Sequence, residues 1–175
     1  MHNICENIQW FVIEDVSELN YPRSYLLMDH YQRDTFLNEF RRTMVTSFLS
    51  YLNDHENFDS LFSDTDAVVP IDLIYNCIQK VEHHIKVKQH LCIDIEKESN
   101  TNAAFNEIAK QIDLVIHYRR KIRYPEYMNG NTMEKLRTNI KIAVAEVHFH
   151  WPESKYDGHR NIWILKPINK SRGYG

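Results

Sequence analysis

The chain has 175 residues, of which 43% are hydrophobic and 26% charged, with a formal net charge of −3. That length supports one domain with a sizeable core, and the near-balanced charge excludes a protein that seeks nucleic acid through a general basic surface. The three cysteines, Cys5, Cys77 and Cys92, form no C-x-x-C pair and are odd in number, so reduced thiols are expected instead of a disulfide framework.

No basic segment followed by an apolar core opens the chain, and no window approaches about eighteen apolar residues, so neither secretion nor a membrane span is expected. Gln9 to Glu14 reads as a short strand. Val16 to Leu27 reads as a connection, because Pro22 disfavours a helix running through Tyr21. Arg23 within it is expected in a structural salt bridge, with a ligand contact as the lesser alternative. From Tyr31 to Asn53, Phe36, Phe40, Met44 and Phe48 recur four apart, with Leu37, Val45, Leu49 and Leu52 widening the stripe, which predicts a helix with one buried face. Asp54 to Asp66 is acidic and polar and is expected to be a surface loop. Its alternating acids suggest calcium, but no glycine stands at the sixth position of an EF-hand pattern and no glutamate closes it.

Pro70 suits the first turn of a second helix, carried on by Ile71, Ile74, Ile78, Val81 and Ile85 with Leu73 and Cys77 alongside. Glu82, His83, His84 and His90 raise the question of a metal. Adjacent helical residues point about 100° apart, so a solvated helix face is expected there instead. After a polar break at Glu96 to Asn102, a third helix is predicted over Ala103 to Arg120 through Phe105, Ile108, Ile112, Val115 and Ile116. The cations of Tyr118 to Arg123 would close it, complementing the helix dipole or facing an acidic partner. Pro125 to Gly130 reads as a turn, and Asn131 or Thr132 as the cap of a fourth helix with Met133, Leu136, Ile140, Ala143, Val144 and Val147 on its apolar side. His148 and His150 have no cysteine or carboxylate at a convincing zinc spacing and are expected to be structural. Tyr156 to Arg160 reads as a polar turn.

The closing stretch carries the chemistry. Ile162, Trp163, Ile164 and Leu165 form a short apolar run bounded by Pro167, which predicts a strand buried on both faces with Lys166 at its end. Asn169, Lys170, Ser171, Arg172, Gly173 and Gly175 then make a loop rich in cations and backbone donors. It holds two of the chain's four glycines, which allow a ligand to approach the backbone closely. This pattern suits a phosphate, although neither G-x-x-x-x-G-K-[ST] nor G-x-G-x-x-G occurs. The alternative reading of the same residues is a solvated lysine and a frayed, polar terminus.

Asn161-Ile-Trp-Ile-Leu-Lys166-Pro followed by Lys170-Ser-Arg-Gly-Tyr-Gly175 closely resembles the W-I-x-K-P-x-x-x-S-R-G-x-G segment of the tubulin–tyrosine ligase-like family, and most closely its glycylase branch. Tyr21-Pro22-Arg23-Ser24-Tyr25, Val69-Pro70 and Asp157-Gly158 leading into Arg160-Asn161 are also similar. The resemblance implies an α/β (α+β) chain: the predominantly helical N-terminal part of an ATP-grasp ligase, with 1–158 mainly helical and 159–175 opening the nucleotide site. It implies ATP-dependent addition of glycine to glutamate side chains of tubulin tails, with ATP, glycine and tubulin or microtubules as partners and neither nucleic acid nor membrane. It also implies a cytoplasmic, cytoskeletal setting that extends to the cilium or axoneme.

On the same resemblance Lys166 contacts the ATP phosphates. Gly173 gives a backbone N–H, Ser171 a hydroxyl, and Arg172 lies over the nucleotide and forks to an acceptor carboxylate. Magnesium ligands fall on later strands, so a fragment inactive by itself is expected, with no metal ligands in this chain. Tyr174 departs from the family, standing where an arginine is common. Two other readings stay open: a related glutamate or tyrosine ligase, and a non-catalytic helical module that binds microtubules or another protein.

Overall fold

The computed structural model describes residues 23–89, 102–124 and 130–166. The expected strand at Gln9 to Glu14, the polar break at Glu96 to Asn102 except its last residue, most of the Pro125 to Gly130 turn and the loop beyond Lys166 lie outside those residues.

Four helices and a small parallel sheet make up the described fold, consistent with the α/β class. Helix α1 spans His30–Asp54; the Asp29 carboxylate caps it by accepting the Gln32 N–H at 2.8 Å. Every residue from Arg42 to Leu49 is buried, so the middle of α1 is enclosed on all sides and serves as the central helix. Met44, Val45, Phe48, Leu49 and Leu52 fill the core as expected. Leu37, expected in the same stripe, is instead exposed, because the first half of α1 is covered on one side only.

Helix α2 spans Asp72–Lys88, directly after Pro70, whose carbonyl accepts the Leu73 N–H at 3.2 Å. Asp72 in its first turn and Lys86 and Lys88 in its last oppose the dipole charges at each end. Leu73, Ile74, Cys77 and Val81 are buried, and burial pushes the Cys77 thiol pKa up. Helix α3 spans Asn102–Ile116 and buries Ile112 and Val115. Helix α4 spans Gly130–His150 and buries Met133, Leu136, Ile140, Ala143, Val144 and Val147, the six positions expected. It begins at Gly130, so Asn131 and Thr132 lie inside its first turn. Helices α2, α3 and α4 all pack against α1. Among the described residues no helix is long and apolar enough to cross a membrane.

The sheet corrects two expectations. Strands β1 (Phe62–Ser63) and β2 (Ala67–Val69) flank β3 (Lys121–Arg123), both running parallel to it. Phe62 faces Ile122 and Ser63 faces Arg123, while Ala67 faces Lys121 and Val69 faces Ile122 across an irregular register. The stretch from Asp54 to Asp66 is therefore no plain surface loop. Its Phe58, Leu61 and Phe62 are buried, two of their rings are 5.1 Å apart, and a 3-10 turn over Phe58–Leu61 is capped by the Asn57 side chain. The acidic residues around them hide that apolar content from a compositional reading.

Nor does α3 continue to Arg120. Arg119 takes φ 51°, in the left-handed region, and the Arg120 N–H reaches back to the Leu114 carbonyl at 2.8 Å. The basic run then enters the sheet, because Ile122 fits wholly buried between β1 and β2. Arg123 and Lys121 turn their charges to backbone carbonyls of Ala67 and Ser60.

Candidate functional site

Beyond α4, a 3-10 turn over Pro152–Tyr156 and a left-handed Gly158 (φ 68°) carry the chain back toward α1. Residues 161–166 are not a strand. Ile162, Ile164 and Leu165 are 71%, 79% and 74% exposed, against the expectation of a strand buried on both faces. A strand is buried only where sheet neighbours cover it, and the described sheet lies elsewhere, at Phe62, Val69 and Ile122. Trp163 alone turns inward.

Trp163 enters an aromatic group. Its ring centroid lies 5.2 Å from Phe36 and 6.1 Å from Tyr25, and Phe36 lies 6.0 Å from Phe40. The indole Nε1–H donates to Asn161 Oδ1 at 2.7 Å, and Asn161 Nδ2 donates to the Phe40 carbonyl of α1 at 3.2 Å. Asn161 itself is left-handed, at φ 47°, a conformation that asparagine tolerates better than most side chains. His159 meets Asp54, at the end of α1, at 3.0 Å.

Beside this group runs a line of charges. Arg23 Nη1 donates to Glu39 Oε2 at 2.5 Å, its Nη2 donates to Asp157 Oδ1, and its guanidinium lies 5.4 Å from the Trp163 ring centroid. Arg42 forks onto the same Glu39, Nε to Oε1 at 3.1 Å and Nη2 to Oε2 at 2.6 Å, and stacks 4.7 Å from the Trp151 ring. Two cations thus share two carboxylates, which is how charges this far from water are kept paired. Burial alone would raise the Glu39 pKa, but the Arg42 hydrogen bond and the charges of Arg42 and Arg23 outweigh it and hold the carboxyl below its usual range. Burial would likewise lower the Arg23 pKa, yet Asp157 and Glu39 raise it. Burial together with Glu39 pushes the Tyr25 phenol up to about 12, so it stays protonated. The expected salt bridge of Arg23 is present, with two partners.

His84 belongs to the same neighbourhood. It is half-buried and not on a solvated face as expected; burial, with the charges of His83 and Arg42 adding to it, pulls its pKa down to about 4. Among the described residues no group of three or more His, Cys, Asp or Glu side chains is arranged to hold a metal ion.

Lys166 lies on the exposed side of the segment that Trp163 anchors. Ser171, Arg172 and Gly173 lie outside the described residues. A separate cleft of about 270 Å³ is lined by Phe58, Asp59, Tyr124, Met133, Glu134 and Arg137, together with Gly130. Lys166 is not among its lining residues. The residues that sequence reasoning missed are Glu39, Arg42 and Asp157; the only signal available was the similarity at Asp157-Gly158 and around Arg23, which marks positions without saying that they meet.

No protein-family model and no solved structure matches the chain. It is 25% identical over 179 residues to tubulin glycylase 3A of Drosophila melanogaster, covering 98% of this chain and 18% of that protein. It is 26% identical over 188 residues to tubulin monoglycylase TTLL3 of Danio rerio, covering 97% and 24%, and 22% identical over 199 residues to protein monoglycylase TTLL8 of Mus musculus, covering 97% and 23%. The chain thus spans less than a quarter of the length of these relatives.

Proposed function

We infer, from a chain similar along nearly its whole length to the tubulin glycylases, that this polypeptide is part of an ATP-dependent tubulin glycine ligase. The observation that carries the reading is the coincidence of that similarity with the Trp163-Ile-Leu-Lys166-Pro and Ser171-Arg-Gly-Tyr-Gly175 wording at the end of the chain. Tubulin, ATP and glycine are the substrates, the setting is the cytoplasm and cytoskeleton including cilia, and the complete fold is an ATP-grasp ligase of which 159–175 opens the nucleotide site.

Joining an amine to a carboxylate in water is uphill, because a carboxylate is a poor electrophile. Phosphorylation by ATP makes an acylphosphate that the amine attacks. Within this chain Lys166 holds a phosphate as a fixed positive charge, the Gly173 N–H and Ser171 hydroxyl donate to the nucleotide, and Arg172 forks to the acceptor carboxylate. An exposed Lys166 on an anchored segment is compatible with a polyphosphate arriving from the solvent side. Metal ligands are expected outside the chain, so 1–175 alone incorporates no glycine into tubulin above a no-protein control.

The test is a chimera in which this chain replaces the matching stretch of tubulin glycylase 3A. ATP-dependent glycine incorporation that falls about 100-fold with Lys166→Ala supports the reading. Incorporation indifferent to Lys166→Ala removes the lysine from the site. A folded chimera with no incorporation at all denies that the chain is equivalent to the stretch it replaces.

A further inference from the structure

We propose that Arg23 is a positioning residue that sets where the Lys166 segment lies; the link to nucleotide binding rests on the reading of Lys166 given above. One guanidinium touches both ends of the segment from Asp157 to Trp163. It donates to Asp157 at the start and covers the Trp163 ring at 5.4 Å, three residues before Lys166. On its other side it is held by Glu39 of α1, which Arg42 grips in turn.

Side chains have to do this work, because among the described residues no backbone–backbone hydrogen bond ties 158–166 to the rest of the fold. Other ties include the Trp163 ring contacts with Phe36 and Tyr25, the Asn161 Nδ2 bond to Phe40, and the His159 to Asp54 pair, 42% and 53% exposed at their side chains. An exposed pair of that kind holds weakly. The Arg23 ion pairs are shielded by comparison, with side-chain exposures of 17%, 15% and 23% for Arg23, Asp157 and Glu39. The residue type matters: lysine carries the charge but cannot fork to two carboxylates while lying flat over an indole. Losing Arg23 would leave Trp163 to its ring contacts with Phe36 and Tyr25 and so loosen it and, with it, the direction of Lys166, without touching the core residues of α1, α2 and α4.

The experiment reads the Trp163 environment and not activity. With 5-fluorotryptophan incorporated and the Trp163 resonance assigned by Trp163→Phe, the wild-type chain should show that resonance displaced from free 5-fluorotryptophan. Arg23→Met should move it toward the free position without reaching it, because Phe36 and Tyr25 still flank the ring, and Arg23→Lys should move it less, while the Trp151 resonance and the helical circular dichroism stay as in wild type. Asp157→Asn, which keeps Arg23 over the ring, should shift it partway and serves if Arg23→Met does not fold. A Trp163 resonance unmoved by both variants overturns the proposal. In the chimera, Arg23→Met should raise the KM for ATP about tenfold with kcat within about twofold. If Trp163 moves and that KM does not, the Arg23 clamp stands and the assignment of Lys166 to the nucleotide falls.

Discussion

Trp163 meets Phe36 edge to face, with centroids 5.2 Å apart and ring planes at 89°. That arrangement sets the positive edge of one ring against the negative face of the other, and it ties a segment late in the chain to the first half of α1. Trp163 is also the one inward-facing member of an apolar run whose other members are exposed.

Trp163→Ala should therefore cost about 2 kcal/mol, below the range for a fully buried tryptophan because the ring is only half-buried. Urea unfolding checks this. A midpoint shift corresponding to less than about 0.5 kcal/mol would mean that the aromatic group contributes nothing beyond solvent exposure.

Stability should fall on acidification below neutral pH. His84 is held neutral in the fold, with a pKa near 4 against an ordinary value of 6.5. The unfolded chain thus binds the proton first, and stability present above about 6.5 is lost as pH falls toward 4, by on the order of 1–3 kcal/mol. Glu39, also depressed, adds a loss at lower pH, as its carboxyl protonates and releases Arg23 and Arg42. His84→Gln should flatten the upper part of this profile in thermal melts recorded from pH 7.5 to 4. An unchanged profile would place the acid sensitivity elsewhere.

Cys77 should resist alkylation in the folded protein. Its thiol is fully buried on α2, and burial pushes its pKa up, so little thiolate forms. Mass spectrometry of the Cys77 peptide after iodoacetamide should show labelling only at denaturant concentrations that unfold the chain. Rapid native labelling would contradict the packing of α2 against α1.

Ile122→Ala should destabilise by about 3 kcal/mol, since the side chain is wholly buried at the centre of the sheet. Chemical denaturation measures the loss. Lys121→Ala, at the half-buried neighbour of Ile122 on the same strand, should cost about 1 kcal/mol or less, which makes it the matched control.

The long elements were legible in the sequence because their apolar residues repeat: the six buried positions of α4 are those the spacing predicts, and the four of α2 are among the seven residues named for it, with Ile78 and Ile85 only partly buried. The strands were not. Two or three residues cannot display a period, and Ile122 sits inside a basic run that suggested a helix end. Ile162 to Leu165 misled in the opposite direction, since an apolar run is buried only if something covers it. Arg42, 3% exposed in mid-helix, carries no sequence mark at all, because its burial depends on Glu39 one turn before it and Trp151 over a hundred residues later. The wording around Lys166, Ser171, Arg172 and Gly173 was legible only as a resemblance.

The order of strands has a consequence for synthesis. Phe62 and Val69 emerge from the ribosome more than fifty residues ahead of the central Ile122 that joins them. Until then β1 and β2 have no central strand to pair with, and their apolar residues stay uncovered in the nascent chain. Chaperone engagement and proteolytic nicking should concentrate there during translation.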